Sequence, residues 1–335
     1  MSNILITGGF GFLGTALAEK LLMDKSNKVH IVDDLSTSPI FLEDFLDVIG
    51  HPINLSYDIT TVDNYFKNNK IPIYDEIYHL ASPVGPAGVL KHAGKMVREV
   101  VRDTYTLMDY CLNHNAKLLD VSTSEVYGGG VEGYCSEDTS KVVPAKTTVR
   151  LEYAIAKLAA ETALINTCAV TNLEAIIVRP FNISGPRQSP LGGFVLPRFI
   201  QLADAGKPIT VFGQGDQIRA FTHVSDMVNG IILAMAKGKI GSAYNLGNVR
   251  NKTTILDLAI RVKKVLKSNS EIIFVDPKKI YGPLYEEAND KYPDATRAEM
   301  ELGWSPDYTI DDTIRDAFLE YKRQLEKGTL KHKTD

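Results

Sequence analysis

Cysteine is scarce in this chain. Cys111, Cys135 and Cys168 are an odd number with no C-x-x-C spacing, so neither a disulfide framework nor a zinc site is signalled, and all three read as ordinary thiols. Seven histidines are scattered without H-x-x-x-H spacing, and no metal is expected. Long apolar runs are absent too. None approaches the roughly 18 residues of a membrane span, and Met1 leads straight into a strand-like segment with no charged leader. A cytoplasmic protein without membrane contact is expected. The formal net charge is only −4 and no Lys/Arg cluster precedes the tail, so nucleic acid is not an expected partner. Internal repeats and low-complexity stretches are missing as well. What is present is a chain of 335 residues, 44% hydrophobic and 23% charged, close to the size at which one core divides into two.

Short apolar runs alternate with segments of helical period through the first half, the pattern of an α/β fold with a doubly wound parallel sheet. Asn3 to Thr7, Val29 to Asp33, Ile53 to Tyr57, Glu76 to Leu80, Lys117 to Ser122 and Glu174 to Arg179 read as strands. Leu13, Leu17 and Leu21 recur at i, i+4 and i+8, as a helix laid on a sheet requires. From Pro180 onward Pro and Gly become frequent and the alternation breaks down. The expectation is a first domain over 1–180, with a return near 220–248 through Tyr244 to Leu246, and a smaller substrate domain over 181–330. Ile255 to Lys267 and Thr309 to Gln324 read as helices, and the last residues as frayed.

Between the first strand and the first helix, Gly8, Gly11 and Gly14 stand at G-x-x-G-x-x-G spacing, with Phe12 and Leu13 in the same candidate cofactor-binding segment. Gly8 and Gly11 permit a tight turn and close approach of the backbone to a pyrophosphate, Gly14 lets the helix pack on the strand, and the helix N-terminus offers free N–H groups. Nineteen residues beyond Gly14 the second strand ends in Asp33. An acid there accepts from a ribose 2′-hydroxyl and repels a 2′-phosphate, so NAD is the expected cofactor. Asp34 reads as a solvated turn residue.

The fifth strand runs into Ser122-Thr123-Ser124-Glu125-Val126-Tyr127-Gly128, and thirty residues after Thr123 comes Tyr153-Ala154-Ile155-Ala156-Lys157. The i, i+4 spacing puts Tyr153 and Lys157 on one helix face. A phenol with an ordinary pKa near 10 is a poor base at neutral pH, and a neighbouring ammonium is expected to lower it. Tyr153 then accepts a hydroxyl proton while hydride leaves the carbon, Thr123 hydrogen-bonds the same hydroxyl, and Lys157 also holds the nicotinamide ribose. Ser124 and Glu125 complete the candidate catalytic set. Arg219, read in a Gly-bounded loop, is a candidate diphosphate clamp. Arg187 reads equally as ligand or ion-pair partner, and Arg150 equally as a carboxylate contact or a surface residue. His223, Trp304 and Tyr105 are assigned to packing.

These segments, together with His79-Leu80-Ala81-Ser82, Arg179-Pro180-Phe181-Asn182-Ile183-Ser184-Gly185-Pro186-Arg187 and Gln217-Ile218-Arg219-Ala220-Phe221-Thr222-His223-Val224, resemble the extended short-chain dehydrogenases that act on nucleotide-sugars. The resemblance runs from about residue 3 to about residue 320. Within that group the T-S-E-V-Y-G run, Arg150 and Leu302-Gly303-Trp304 look most like UDP-glucuronate decarboxylases. The resemblance implies a Rossmann domain, a C-terminal substrate domain and a homodimer formed through a helix bundle. It implies that Asp58 and Ile59 lie near adenine, that Leu80 joins the cofactor site, and that Ser82 and Pro83 belong to the loop lining the sugar pocket. Asn182, Arg187, Arg150 and Arg219 are the implied substrate contacts, Asn182 and Arg219 at the diphosphate, and Glu125 is the extra catalytic carboxylate.

The chain departs from the decarboxylase pattern at Val84 to Gly88, at Arg102, at Gly129-Gly130-Val131-Glu132, and ahead of Pro293-Asp294, where an Arg that helps bind the nucleotide is lacking. Sugar and base therefore stay open. UDP-glucuronate decarboxylation comes first: oxidation at C4 makes the C6 carboxylate a β-keto acid. A 4,6-dehydratase is the rival, with Glu125 as the base that removes the C5 proton, and a 4-epimerase is third. An NAD-sensing binding module without catalysis is the non-enzymatic reading.

Overall fold

The computed structural model describes residues 2–331 except 69, 129–132, 142, 144–146 and 283–289; the departure noted at 129–132 lies outside them. The first half alternates as β1 (Asn3–Thr7), α1 (Phe12–Leu22), β2 (Lys28–Asp33), α2 (Leu42–Ile49), β3 (Leu55–Ile59), α3 (Val62–Phe66), β4 (Glu76–His79), α4 (Gly85–Lys91), α5 (Met96–His114), β5 (Lys117–Val121), α6 (Val149–Val170) and β6 (Ala175–Pro180). There follow β7 (Ile183–Ser184), α7 (Val195–Asp204), β8 (Ile209–Phe212), β9 (Ile218–Ala220), β10 (Thr222–His223), α8 (Val224–Lys237), β11 (Ala243–Leu246), β12 (Lys252–Thr254), α9 (Ile255–Leu266), β13 (Ile272–Val275), α10 (Lys278–Tyr281) and α11 (Ile310–Lys327).

Seven strands form one sheet in the order β11-β6-β5-β4-β1-β2-β3, and every neighbouring pair is parallel. A parallel sheet needs both faces covered, and β1 has a hydrophobic partner on each. Ile4 and Ile6 join a cluster with Leu17 and Leu21 of α1, Met227 and Ile231 of α8, and Trp304. Leu5 points the other way, to Leu107 and Met108 of α5 and Leu164 of α6. Each such side chain, fully buried, contributes roughly 1.5–3 kcal/mol. The strand order reverses at β1, so the carboxyl ends of β1 and β4 diverge and leave a crevice, the place where open α/β sheets take their ligands.

A third cluster lies outside this sheet. Phe199 and Ile200 of α7, Ile209 and Val211 of β8, Leu258 and Val262 of α9 and Ile314 of α11 pack together there. Some helices start where a side chain satisfies the open backbone: Thr148 accepts from Leu151 N–H at the start of α6, and Thr309 and Asp312 cap α11 reciprocally.

Two sequence expectations need correcting here. The third strand begins two residues later than expected, at Leu55, because Pro52 and Ile53 form the turn that Leu55 N–H closes onto the Pro52 carbonyl; Ile53 is fully exposed. Tyr105 is half exposed on α5 and not packed. Trp304 is buried, with its indole N–H on the Asp226 carbonyl at 2.9 Å, and His223 is buried and stacked on Tyr308 at 3.9 Å.

Candidate active site

At the carboxyl end of β1 the chain turns back beneath β4. Gly8 has φ +71°, and a Cβ there would lie 2.7 Å from Ala81 N, while a Cβ on Gly14 would lie 2.2 Å from the Gly8 carbonyl oxygen. Both glycines are required by close backbone approach. Gly11 caps α1 in an extended conformation with no side-chain hydrogen bond, so the N–H groups of the first turn, which includes Phe12 and Leu13, meet no capping side chain and are placed for an anion. Asp33 ends β2 nearly buried. Its two oxygens accept the Phe10 N–H at 2.9 Å and the Leu35 N–H at 2.7 Å, and burial, opposed by those hydrogen bonds, raises its pKa. A carboxylate has about four acceptor sites, so ribose hydroxyls can share it. This cradle of glycines, open helix N-terminus and strand-end acid fits a dinucleotide. Asp58 and Ile59 lie beside it, in register with Val32 and Asp33; the Asp58 side chain is turned to His30 Nε2 at 3.0 Å. Leu80, whose N–H donates to the Thr7 carbonyl, stands across the crevice. Asp34 is exposed, in a turn where it accepts the Ser36 N–H.

The catalytic candidates gather at the carboxyl end of β5. After Val121 the chain forms a short 3₁₀ turn, Ser124–Tyr127, capped by the Thr123 hydroxyl, which accepts the Glu125 N–H at 3.1 Å. Arg150, Tyr153 and Lys157 project from successive turns of α6. The Thr123 and Ser82 hydroxyls adjoin the buried Tyr153 phenol, which brings the loop after β4, with Ser82 and Pro83, to the same place. Lys157 is buried and donates from Nζ to the Val121 carbonyl at 2.8 Å. It ties α6 to β5. The Tyr153 phenol stands above its ordinary pKa, the opposite of what a lysine neighbour alone predicts. Burial is the main cause; the Thr123 hydrogen bond opposes it and the Glu125 charge adds to it. Tyr153 is therefore a neutral phenol in this state.

Beneath this set lies a buried polar network. Glu161 of α6 receives Nε and Nη2 of Arg179 at 2.9 and 2.6 Å and the Ser122 hydroxyl. Arg179 Nη1 reaches the Tyr127 hydroxyl at 2.9 Å, which donates to Asn245 Oδ1 of β11 at 2.8 Å. Ser122, Arg179 and Tyr127 thus brace the 3₁₀ turn against β6 and β11.

Glu125 is the centre of charge. Arg150 grips it with Nε at 2.6 Å and Nη2 at 3.0 Å, and Lys291 Nζ lies 2.5 Å from its Oε1. Burial disfavours the charged carboxylate, but Arg150 and Lys291 outweigh it and hold its pKa well below the usual carboxylate range. Burial pulls Lys291 down to about 8 in spite of Glu125. Arg150 is thus a carboxylate contact, and its carboxylate is the protein's own. Lys291 escaped the sequence reading, which noted only a missing Arg nearby; a single Lys in a non-periodic polar stretch carries no local mark.

The remaining candidates are placed as follows. Asn182 follows β6 at φ +36°, and its buried amide Nδ2 meets no hydrogen-bond partner, as befits a ligand contact. Arg187 is engaged by an ion pair with Glu19 of α1 and lies over the Phe45 ring at 6.0 Å, which favours its ion-pair reading. Arg219 is not in a loop: it is buried in β9, paired with Thr253 of β12, and its Nη1 donates to the Ile218 carbonyl at 2.8 Å. The glycine-bounded sequence concealed a short strand. Among the described residues, no group of three His, Cys, Asp or Glu side chains is placed to hold a metal, the three cysteines are free, and no helix is long and apolar enough to cross a membrane.

Comparison with known proteins agrees with this arrangement. Residues 4–247 match the model of the NAD dependent epimerase/dehydratase family. The chain is 31% identical over 325 residues to the UDP-N-acetyl-alpha-D-glucosaminuronate decarboxylase of Bacillus cytotoxicus, covering 96% of this chain and 98% of that protein. It is 32% identical over 330 residues to UDP-glucuronic acid decarboxylase 1 of Xenopus tropicalis, covering 97% and 73%. Among solved structures it is similar to the UDP-glucuronic acid 4-epimerase of Bacillus cereus in complex with UDP-glucuronic acid and NAD, with a TM-score of 0.81 and 25% identity over 96% of this chain and 99% of that one. The same fold is seen in the dTDP-glucose 4,6-dehydratase of Bacillus anthracis, with a TM-score of 0.81 and 23% identity over 97% and 98%. The chain belongs to the NAD-dependent epimerase/dehydratase family, and NAD is its cofactor.

Proposed function

We propose that this enzyme decarboxylates a UDP-hexuronate, UDP-glucuronate first of all, to UDP-xylose or a 4-keto pentose. The observation that carries the reading is the state of Glu125. A 4,6-dehydratase needs that carboxylate as a base for the C5 proton, whereas here Arg150 and Lys291 hold it ionised and weakly basic. Decarboxylation asks for no such base, because a β-keto acid loses carbon dioxide unaided; the enolate left behind must then take a proton at C5, and Glu125 with the Lys291 ammonium beside it is assigned to that step.

Bound NAD supplies a hydride acceptor for C4 and the donor that later reduces the ketone. The rest falls to the chain. The glycine turn and the start of α1 are assigned to the pyrophosphate, Asp33 to the adenosine ribose, and Lys157 to the other ribose. Tyr153 takes the C4 hydroxyl proton, with Thr123 hydrogen-bonding that oxygen. For Tyr153 to act as a base its phenolate must be stabilised, and an added positive charge near the buried phenol is what would do so. Asn182 and Arg219 are assigned to the diphosphate, and Ser82 and Pro83 to the sugar. The likeness to a UDP-glucuronic acid 4-epimerase supports one second reading, epimerisation of the same substrate. A homodimer is proposed through α5 and α6, where Val97, Tyr105, Ile155 and Ile165 are exposed.

The test is incubation of the purified protein with UDP-glucuronate, its N-acetyl analogue and UDP-glucose, with and without added NAD. Release of carbon dioxide with a UDP-pentose by mass is the expected result. Loss of water from UDP-glucose would replace the reading by a dehydratase, and unchanged mass with inversion at C4 by NMR would replace it by an epimerase.

A further inference from the structure

Lys291 reaches Glu125 from far along the chain. Its N–H donates to the Ile218 carbonyl at 3.2 Å, Asp290 Oδ1 accepts the Ile218 N–H at 2.9 Å, and the Lys291 backbone bridges to Arg219. Two residues on, Pro293 bridges to Cys135, and Cys135 exchanges backbone hydrogen bonds with Tyr292 and Asp294. The segment is thus fixed on two sides, and its lysine is driven inward. Lys291 is 1% exposed. Glu125, which it touches, is gripped by Arg150 one turn before Tyr153 on α6 and gives its N–H to the Thr123 hydroxyl, so the ammonium lies close to where the sugar is handled.

Two cations converge on one carboxylate, and of the three groups the Lys291 ammonium is the one shut away from water. A buried ammonium stays poorly solvated even with a carboxylate in contact, and a second anion arriving beside it gains Coulomb energy that a neutral group does not. We propose that Lys291 is a specificity-determining residue that selects nucleotide-sugars whose sugar carries a carboxylate over the neutral hexoses. The inference deepens the function proposed above and rests on the sugar being held beside Tyr153. It assigns to Lys291 a discrimination at the sugar, and none at the nucleotide. The depressed pKa of the ammonium agrees: Glu125 alone does not compensate its burial.

Binding is read by calorimetric titration of the NAD-loaded Tyr153→Phe protein, which removes turnover from the measurement. The ligands are UDP, UDP-glucose and UDP-glucuronate. Adding Lys291→Met is expected to weaken UDP-glucuronate about tenfold, about 1.4 kcal/mol, while UDP and UDP-glucose stay within about twofold. Lys291→Arg should keep the preference. Glu125→Gln, which removes the competing anion, should raise the preference for UDP-glucuronate, and this arm decides the matter if Lys291→Met fails to fold or to bind NAD. Equal weakening of all three ligands would make Lys291 a nucleotide contact and overturn the proposal; so would no change in Lys291→Met, or a preference unchanged or lowered in Glu125→Gln. A native preference for UDP-glucuronate without carbon dioxide release would instead sink the decarboxylase reading and leave this one standing.

Discussion

Tyr153 and Glu125 stand in one charged pocket, yet their environments push their protonation in opposite senses. Burial keeps the phenol neutral, and two cations keep the carboxylate ionised. Such divergence between neighbouring groups assigns separate roles. Tyr153→Phe is expected to bind NAD as the native protein does and to lose C4 oxidation by about 10²–10⁴-fold, read as NAD affinity by titration against turnover of UDP-glucuronate. Glu125→Gln should still oxidise C4 and then stall, so that reduced cofactor absorbance accumulates. Equal loss of NAD binding in both variants would contradict the assignment. The i, i+4 pair of Tyr153 and Lys157 was legible because one helix turn dictates it. The raised phenol was not, since it follows from Met96 and Val100 of α5 burying the ring and from residues of the loops after β4 and β5 meeting its hydroxyl.

At the scale of elements, the joint between α6 and β6 is an ion pair of Arg179 with Glu161, with side chains only 5% and 1% exposed. Removing one partner leaves an uncompensated buried charge. Arg179→Met should lower stability by about 3–5 kcal/mol, measured by urea unfolding. A loss below 1 kcal/mol would show that the network is dispensable. Gly14→Ala tests the other joint: its Cβ would meet the Gly8 carbonyl oxygen at 2.2 Å, backbone against backbone, so α1 must shift and NAD affinity should fall at least tenfold by titration. The glycine spacing and the helix period of α1 announced this joint in the sequence. The short β9 strand did not announce itself, because three residues bounded by glycine and polar side chains carry no readable period and form a strand only by pairing with β12.

Across the whole molecule, stability should depend on pH through two buried histidines. Burial, aided by Lys157, lowers His79 from 6.5 to about 3. Burial, opposed by Asp316 and Asp312, lowers His223 from 6.5 to about 4. Both fold neutral, so between the unfolded value and these folded values the unfolded chain binds more protons, and stability falls as pH drops from 6.5 toward 4 and then 3. The melting temperature should be nearly level between about pH 7 and 8, below the depressed value of Lys291, and decline steadily below about pH 6.5. His223→Asn should flatten part of the decline, and a melting temperature independent of pH over that range would refute the account.

The chain's local patterns alone determined the alternation of strand and helix, the glycine turn with Asp33 one strand later, and the helix face of Tyr153 and Lys157. Each depends on residues a few positions apart, or on one strand following another in the order that parallel sheets impose. Tertiary structure alone decided that Lys291 meets Glu125, that Arg187 turns to Glu19, and that Arg150 binds the protein's own carboxylate. The first two contacts join residues 166 and 168 positions apart, and the third joins a helix to a 3₁₀ turn across a gap of 25. No periodicity or spacing encodes such meetings, because they arise only when the packed cores bring distant segments together and burial favours a paired charge over a lone one.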